Sequence, residues 1–179
     1  MKKYNDTTYA LLGILTTEHR SGYDIKQFMD KSLNHFWKIS YGQIYPTLKR
    51  LTEEGLAVVE TASQEGKPER KEYFLTSKGE EVLKNWLETP LKQLPAERNE
   101  VLLKLFFGRH QTKEQSAALL KDYQQKLEAQ FETYRQIEAM ISQPDCEKGD
   151  APYWLFTLDY GKRLTKAAIE WCGETMGKI

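Results

Sequence analysis

The chain has only two cysteines and three histidines among its 179 residues, and that scarcity excludes a good deal of chemistry. Cys146 and Cys172 stand far apart in different contexts, which argues against a disulfide framework and against a cysteine-based zinc site. His19, His35 and His110 are isolated, with no His or Cys partner at metal-ligand spacing, so no metal and no cofactor is expected. A Gly-rich phosphate loop and a nucleophile elbow are missing as well. Adjacent carboxylates such as Glu53 and Glu54 would not face one another on a helix, so an enzyme is not expected either. No run approaches the roughly 18 uncharged apolar residues of a membrane-spanning helix. The first six residues lead into a helical pattern without a small-residue cleavage site, which makes the cytoplasm the expected location and leaves the membrane out as a partner. An excess of one charge is lacking too: Lys and Arg total 26 against 26 for Asp and Glu, so any affinity for nucleic acid has to come from a local patch.

What is present is helical periodicity, interrupted once. Residues 7–17 carry a dense apolar run from Tyr9 to Leu15 that suits a buried helix. Ser21-Gly22-Tyr23-Asp24 has capping-box spacing and opens a second helix over 21–34, with Ile25, Phe28, Met29 and Leu33 at intervals of three and four. A third helix starts near Gly42 or Gln43, which keeps Pro46 in the first turn, and ends at Gly55; Ile44, Leu48 and Leu51 form its buried stripe. The pattern then changes to short β-branched and aromatic runs, Ala57–Thr61 and Lys71–Leu75, around the polar turn 64–70, and this predicts a two-stranded hairpin. Ser77-Lys78-Gly79-Glu80 reads as the capping box of a fourth helix that closes before Pro90.

Beyond a linker at Pro90–Pro95, a short amphipathic helix with Val101, Leu102, Leu105 and Phe106 ends near Gly108. From the capping box Thr112–Gln115 to Ser142 neither Gly nor Pro intervenes. Leu120, Tyr123, Leu127, Phe131, Tyr134, Ile137 and Ile141 recur at a mean step of 3.5, the coiled-coil value. A helix of about 30 residues is about 45 Å long and needs a partner surface, for which a second copy of the chain is the simplest choice. These seven residues, with Trp171, are the expected dimer interface. A last helix over 153–173 follows a breaker stretch, Pro144–Pro152, and its apolar face can lie against the long one. The expected organisation is mainly α: an N-terminal winged helix-turn-helix over 1–90 and a helical, coiled-coil-like dimerisation domain over 96–179.

Three helices followed by a hairpin is the element order of a winged helix-turn-helix, whose third helix enters the major groove of double-stranded DNA while the wing meets the backbone. The local charge agrees, since residues 38–50 hold three basic side chains and no acidic one. Gln43, Thr47 and Arg50 recur at i, i+4 and i+7, away from the buried stripe, and Gln and Arg are the side chains that read adenine and guanine edges. Ser40, Tyr41, Tyr45 and Lys49 suit phosphates, as do Lys67, Arg70 and Lys71 at the wing, although Glu65, Glu69 and Glu72 dilute them. A solvated helix face and a charged hairpin tip have the same composition without any DNA, and a winged-helix module that binds protein is the alternative.

Ser21–Ile25, the run Gly42-Gln43-Ile44-Tyr45-Pro46-Thr47-Leu48-Lys49-Arg50-Leu51, Glu54-Gly55-Leu56, Gly66-Lys67-Pro68 and Tyr73–Gly79 together resemble the PadR family of bacterial transcriptional regulators. Leu102–Phe107 and Ala168 with Glu170-Trp171 resemble the helical dimerisation domain of its longer subgroup. The resemblance implies a homodimeric repressor that holds an inverted-repeat operator and releases it to a small effector, a phenolic acid or a drug-like aromatic. Family members often have Ser where Gln43 stands and Arg where Lys67 stands, so the operator sequence is not implied. Phe36, Trp37 and Trp154 offer aromatic faces to a planar effector; core or dimer interface is the other reading of the same residues.

Overall fold

The computed structural model describes residues 4–62, 70–95, 97–143 and 149–179. Lys67 at the expected wing tip and Cys146 lie outside them. The chain divides into two compact units, Met1–Leu94 and Pro95–Ile179. Among the described residues no helix is long and apolar enough to cross a membrane.

In the first unit α1 (Asp6–Ile14) begins at Asn5, whose side chain accepts the Thr8 N–H at 3.0 Å. It ends earlier than the apolar run suggests, because Thr16 and Thr17 turn their hydroxyls back onto the Gly13 and Ile14 carbonyls. The Ser21–Asp24 capping box starts α2 (Gly22–Lys31), and a single 3₁₀ turn (Leu33–His35) follows it. The third helix, α3 (Tyr41–Glu53), begins a residue or two before the expected start, so Pro46 stands beyond the first turn. Having no N–H, it leaves the Gly42 carbonyl without its helical donor on the exposed side, where the missing bond costs least. Gly55, at φ +69°, ends the helix with a left-handed residue that a side chain would strain.

Strands β1 (Ala57–Ala62) and β2 (Arg70–Leu75) pair antiparallel in the register Ala57↔Leu75 to Ala62↔Arg70. The chain ahead of α2 adds to the same sheet: Ser21 bridges Glu72, and the Tyr73 N–H donates to the Arg20 carbonyl at 2.9 Å. The wing is thus fastened to the start of α2. Helix α4 (Ser77–Leu87) is capped by Thr76, not by Ser77 as the spacing suggests. Thr76 keeps the extended backbone of β2, and from there its hydroxyl accepts the Gly79 N–H at 3.1 Å. The core joins Leu11, Leu12 and Ile14 of α1, Ile25 and Met29 of α2, and Ile44, Leu48 and Leu51 of α3 to Leu56 and Tyr73. Burying a side chain of this size contributes about 1.5–3 kcal/mol.

In the second unit α5 (Glu100–Phe106) is capped by Asn99, and a 3₁₀ turn (Gly108–His110) leads to α6 (Lys113–Ile141), opened by the Thr112–Gln115 capping box. Helix α7 (Ala151–Met176) starts earlier than expected, since Pro152 lies in its first turn and opens it. The long helix α6 runs against α7 of its own chain. Leu120 and Leu127 close on Cys172, with Val101, Leu105 and Trp171 around them; Tyr134 and Ile137 close on Leu158, with Ile141 beside them. This corrects the expected seam. Leu120, Leu127, Tyr134 and Ile137 are core positions of one chain, because a period of 3.5 marks a buried stripe and does not say whose helix covers it. Tyr123 and Trp171 lie half-buried against the first of these clusters and Ile141 against the second, and Phe131 is half-buried as well.

Candidate nucleic-acid interface

The register of α3 decides which side chains meet solvent. With Ile44, Leu48 and Leu51 inward, the 100° step turns Gly42, Tyr45, Pro46 and Lys49 outward, and all four are exposed. At the head of the helix Ser40, Tyr41 and Gln43 are exposed too. The Gln43 Oε1 accepts the Ser40 N–H at 3.3 Å, so the side chain suited to adenine doubles as a cap. The Tyr41 hydroxyl donates to Asp30 of α2, which also accepts from Asn34 at 2.9 Å, and Lys26 lies 4.3 Å over the Tyr41 ring. The bond to the Asp30 carboxylate holds the Tyr41 phenol above its usual range. Lys49 pairs with Glu53 at 3.6 Å on the open surface, a contact worth little in water and readily exchanged for a phosphate.

Two expected contact residues are placed differently. Thr47 is 7% exposed: it lies within about 60° of the centre of the buried stripe, too close to it to remain in solvent. Arg50 is half-buried, and its guanidinium turns to the start of α1, where Nη2 donates to Thr8 Oγ1 and to Asn5 Oδ1. Its Nε is buried without a hydrogen-bond partner among the described residues. Neither side chain is presented outward with Gln43. Periodicity locates the apolar stripe but not its flanks, and the contact between Arg50 and α1 spans more than 40 residues, beyond the reach of local spacing.

At the wing Arg70 and Lys71 are exposed on β2. Arg70 donates to Asp24 and approaches Glu72 at 3.3 Å, so its charge is largely matched within the chain. Burial alone would raise the Asp24 carboxyl, but hydrogen bonds from Ser21 and the Arg70 guanidinium outweigh it and hold the group below its usual range. The same carboxylate accepts the Ser21 N–H at 3.2 Å and the Ser21 hydroxyl at 2.7 Å, which ties the wing to the cap of α2. Reading α2 only through its apolar spacing passes over Lys26 and Asp30; the signal was their place on its polar side, beside the chain leading into α3. Of the aromatic candidates, Phe36 and Trp37 are exposed in the first unit and Trp154 is half-buried in the second.

Residues 97–179 match the model of the virulence activator alpha C-terminal region, and residues 11–85 match that of the transcriptional regulator PadR-like family. Over 175 residues the chain is 37% identical to the negative transcriptional regulator PadR of Bacillus subtilis (strain 168), covering 96% of each sequence. The chain belongs to the PadR-like family of transcriptional regulators. This PadR-like regulator also matches solved structures of Bacillus subtilis PadR. To PadR in complex with operator DNA the TM-score is 0.86 at 28% identity, over 97% of this chain and 99% of that one. To PadR in complex with p-coumaric acid it is 0.79 at 27% identity, over 96% of each. The family and these relatives regulate transcription and are not enzymes.

Proposed function

We propose that this PadR-like regulator is a homodimeric repressor that holds an inverted-repeat operator in double-stranded DNA through the first half of α3 and releases it to a small aromatic acid. The observation that carries the reading is the outward face of α3. Ser40, Tyr41, Gln43, Tyr45 and Lys49 are exposed together, and no carboxylate occurs between Lys38 and Thr52. Gln43 supplies the base-reading amide, and Ser40, Tyr41, Tyr45 and Lys49 reach for phosphates. Lys67, Lys71 and Arg70 are the wing's contacts, Arg70 at a discount for Asp24. Thr47 and Arg50 serve the fold of the helix and not its reading surface. The kinship with a PadR solved on operator DNA supports this use of the winged unit, and the same relative's complex with p-coumaric acid supports the effector class. Phe36 and Trp37 in the first unit, or Trp154 in the second, are the rings offered to it. The regulator works in the cytoplasm, where the chromosome is.

The dimer seam we assign to side chains that the chain leaves uncovered. Tyr153, Phe156, Tyr160 and Leu164 recur along one side of α7 and are 46–68% exposed, and Leu102, Leu103 and Phe106 of α5, with Phe107 just after it, are open as well. An apolar stripe of this length in water supports a second copy as its cover. The test of the whole reading is fluorescence anisotropy of the full chain on the DNA upstream of its own gene and on a scrambled duplex, with added p-coumaric acid. Selective, salt-sensitive binding that the acid reverses is expected. Equal, weak binding to both duplexes would move the winged unit to the protein-binding alternative.

A further inference from the structure

The Tyr45 side chain is 60% exposed, yet its ring has a seat. It lies against Gly22, the first residue of α2, so closely that a Cβ there would stand 2.6 Å from Tyr45 Cε1, 2.8 Å from Cζ and 3.0 Å from the hydroxyl oxygen. Among the described residues beyond Gly22's own helix and neighbours, the three atoms nearest to that position all belong to Tyr45. Gly22 is also the residue where three parts of the winged unit meet. Ser21, just before it, bridges Glu72 of the wing, and Asp24, two residues after it, accepts from Arg70. The buried Tyr73 of β2 faces the same place: burial, and then the neighbouring Tyr45 phenol, push its hydroxyl above the usual range.

We propose that Gly22 is a positioning residue for DNA binding: its missing side chain forms the seat that fixes where the Tyr45 hydroxyl stands, between the recognition helix and the wing. The inference rests on the reading of Tyr45 as a phosphate contact. An exposed tyrosine loses rotamer freedom when it binds, and a hydroxyl already held in place binds with less of that loss. An alanine at position 22 moves the ring and not the backbone, because the ring is the free end of a side chain with solvent on its other side. Gly22 does not use a positive φ, so alanine fits the backbone at the start of α2.

The experiment is a double-mutant cycle in the full chain, read by anisotropy on a labelled duplex that the wild type selects from a random-sequence pool, with melting temperatures alongside. Tyr45→Ala is expected to weaken binding about tenfold, and Gly22→Ala by a similar factor without lowering the melting temperature. Combined with Tyr45→Ala, Gly22→Ala is expected to cost less than about twofold more. The proposal is overturned if Gly22→Ala binds like the wild type, or if its loss persists at full size in the Tyr45→Ala background. A lower melting temperature for Gly22→Ala in that background, where no ring remains to meet the methyl group, would make Gly22 a packing residue only and overturn it as well. Wild-type affinity of Tyr45→Ala would instead sink the reading of the α3 face, and the inference with it.

Discussion

Replacing Arg50 by alanine separates a clamp from a base reader. The guanidinium donates to Thr8 Oγ1 and to Asn5 Oδ1, and hydrogen bonds from a charged donor contribute roughly 1.5–3 kcal/mol each. The loss is smaller than their sum. The Thr8 hydroxyl still donates to Asn5 Oδ1 at 2.6 Å after the change, and Asn5 Oδ1 keeps the Thr8 N–H at 3.0 Å, so no buried group is orphaned. Alanine also removes a buried Nε that has no hydrogen-bond partner among the described residues, which offsets part of the cost. The net destabilisation is then about 1–2 kcal/mol. For a domain of this size that lowers the melting temperature by about 5–15 °C. Calorimetry of wild type, Arg50→Ala and Arg50→Lys checks it, with the lysine variant between the other two, because one ammonium can donate to both acceptors but its stem ends one bond short of Nη2. Below the melting transition, relative affinities for operator variants should keep their order. An unchanged melting temperature together with lost preference at one base pair would refute the clamp and restore Arg50 to the reading surface.

Four further expectations follow from the same geometry. Lys49→Ala should weaken binding to all duplexes alike and reduce the salt slope by about 0.9, and a loss confined to one sequence would argue against a phosphate contact. Gly79→Ala puts a Cβ 2.2 Å from the Leu56 carbonyl oxygen, a backbone contact with little room to give, so a loss of about 1–3 kcal/mol should appear in chemical denaturation. The Asp24 carboxyl is held below its unfolded value, so its stabilisation is complete above about pH 4 and is lost as pH falls through the lower folded value. Asp24→Asn should therefore be less stable at neutral pH and lose less on acidification, as melts from pH 7 to 3 would register. Leu120→Ala should cost about 2–5 kcal/mol without changing the sedimenting species, whereas Phe156→Glu with Tyr160→Glu should give folded monomers; the opposite pattern would return the seam to α6.

The parts of this fold that were legible in the sequence are those with local causes. The boxes at Ser21–Asp24 and Thr112–Gln115 cap their helices as their spacing indicates, and the hairpin pairs across the polar turn. Ile44, Leu48 and Leu51 are buried as their period requires. What was not legible depends on remote partners. Leu120 to Ile137 form a stripe whose cover is α7 of the same chain, and no spacing within α6 distinguishes that helix from a second copy. Arg50 looks like a reader until Asn5 and Thr8 come beside it. Thr47 illustrates the same limit at short range, since a small polar residue at the margin of a stripe is buried or open according to how closely α1 and α2 approach. Tyr45 was legible as exposed and aromatic, but its seat on Gly22 required the turn of α2 against α3.

Whether α3 reads DNA is tested by binding of the full chain to DNA by anisotropy across a salt series, with the upstream duplex and its scrambled counterpart in parallel. A repressor that reads DNA through α3 is expected to prefer the upstream duplex by at least about a thousandfold at physiological salt and to release it on addition of p-coumaric acid. Equal affinity for the two duplexes at every salt concentration would show that α3 does not read the sequence.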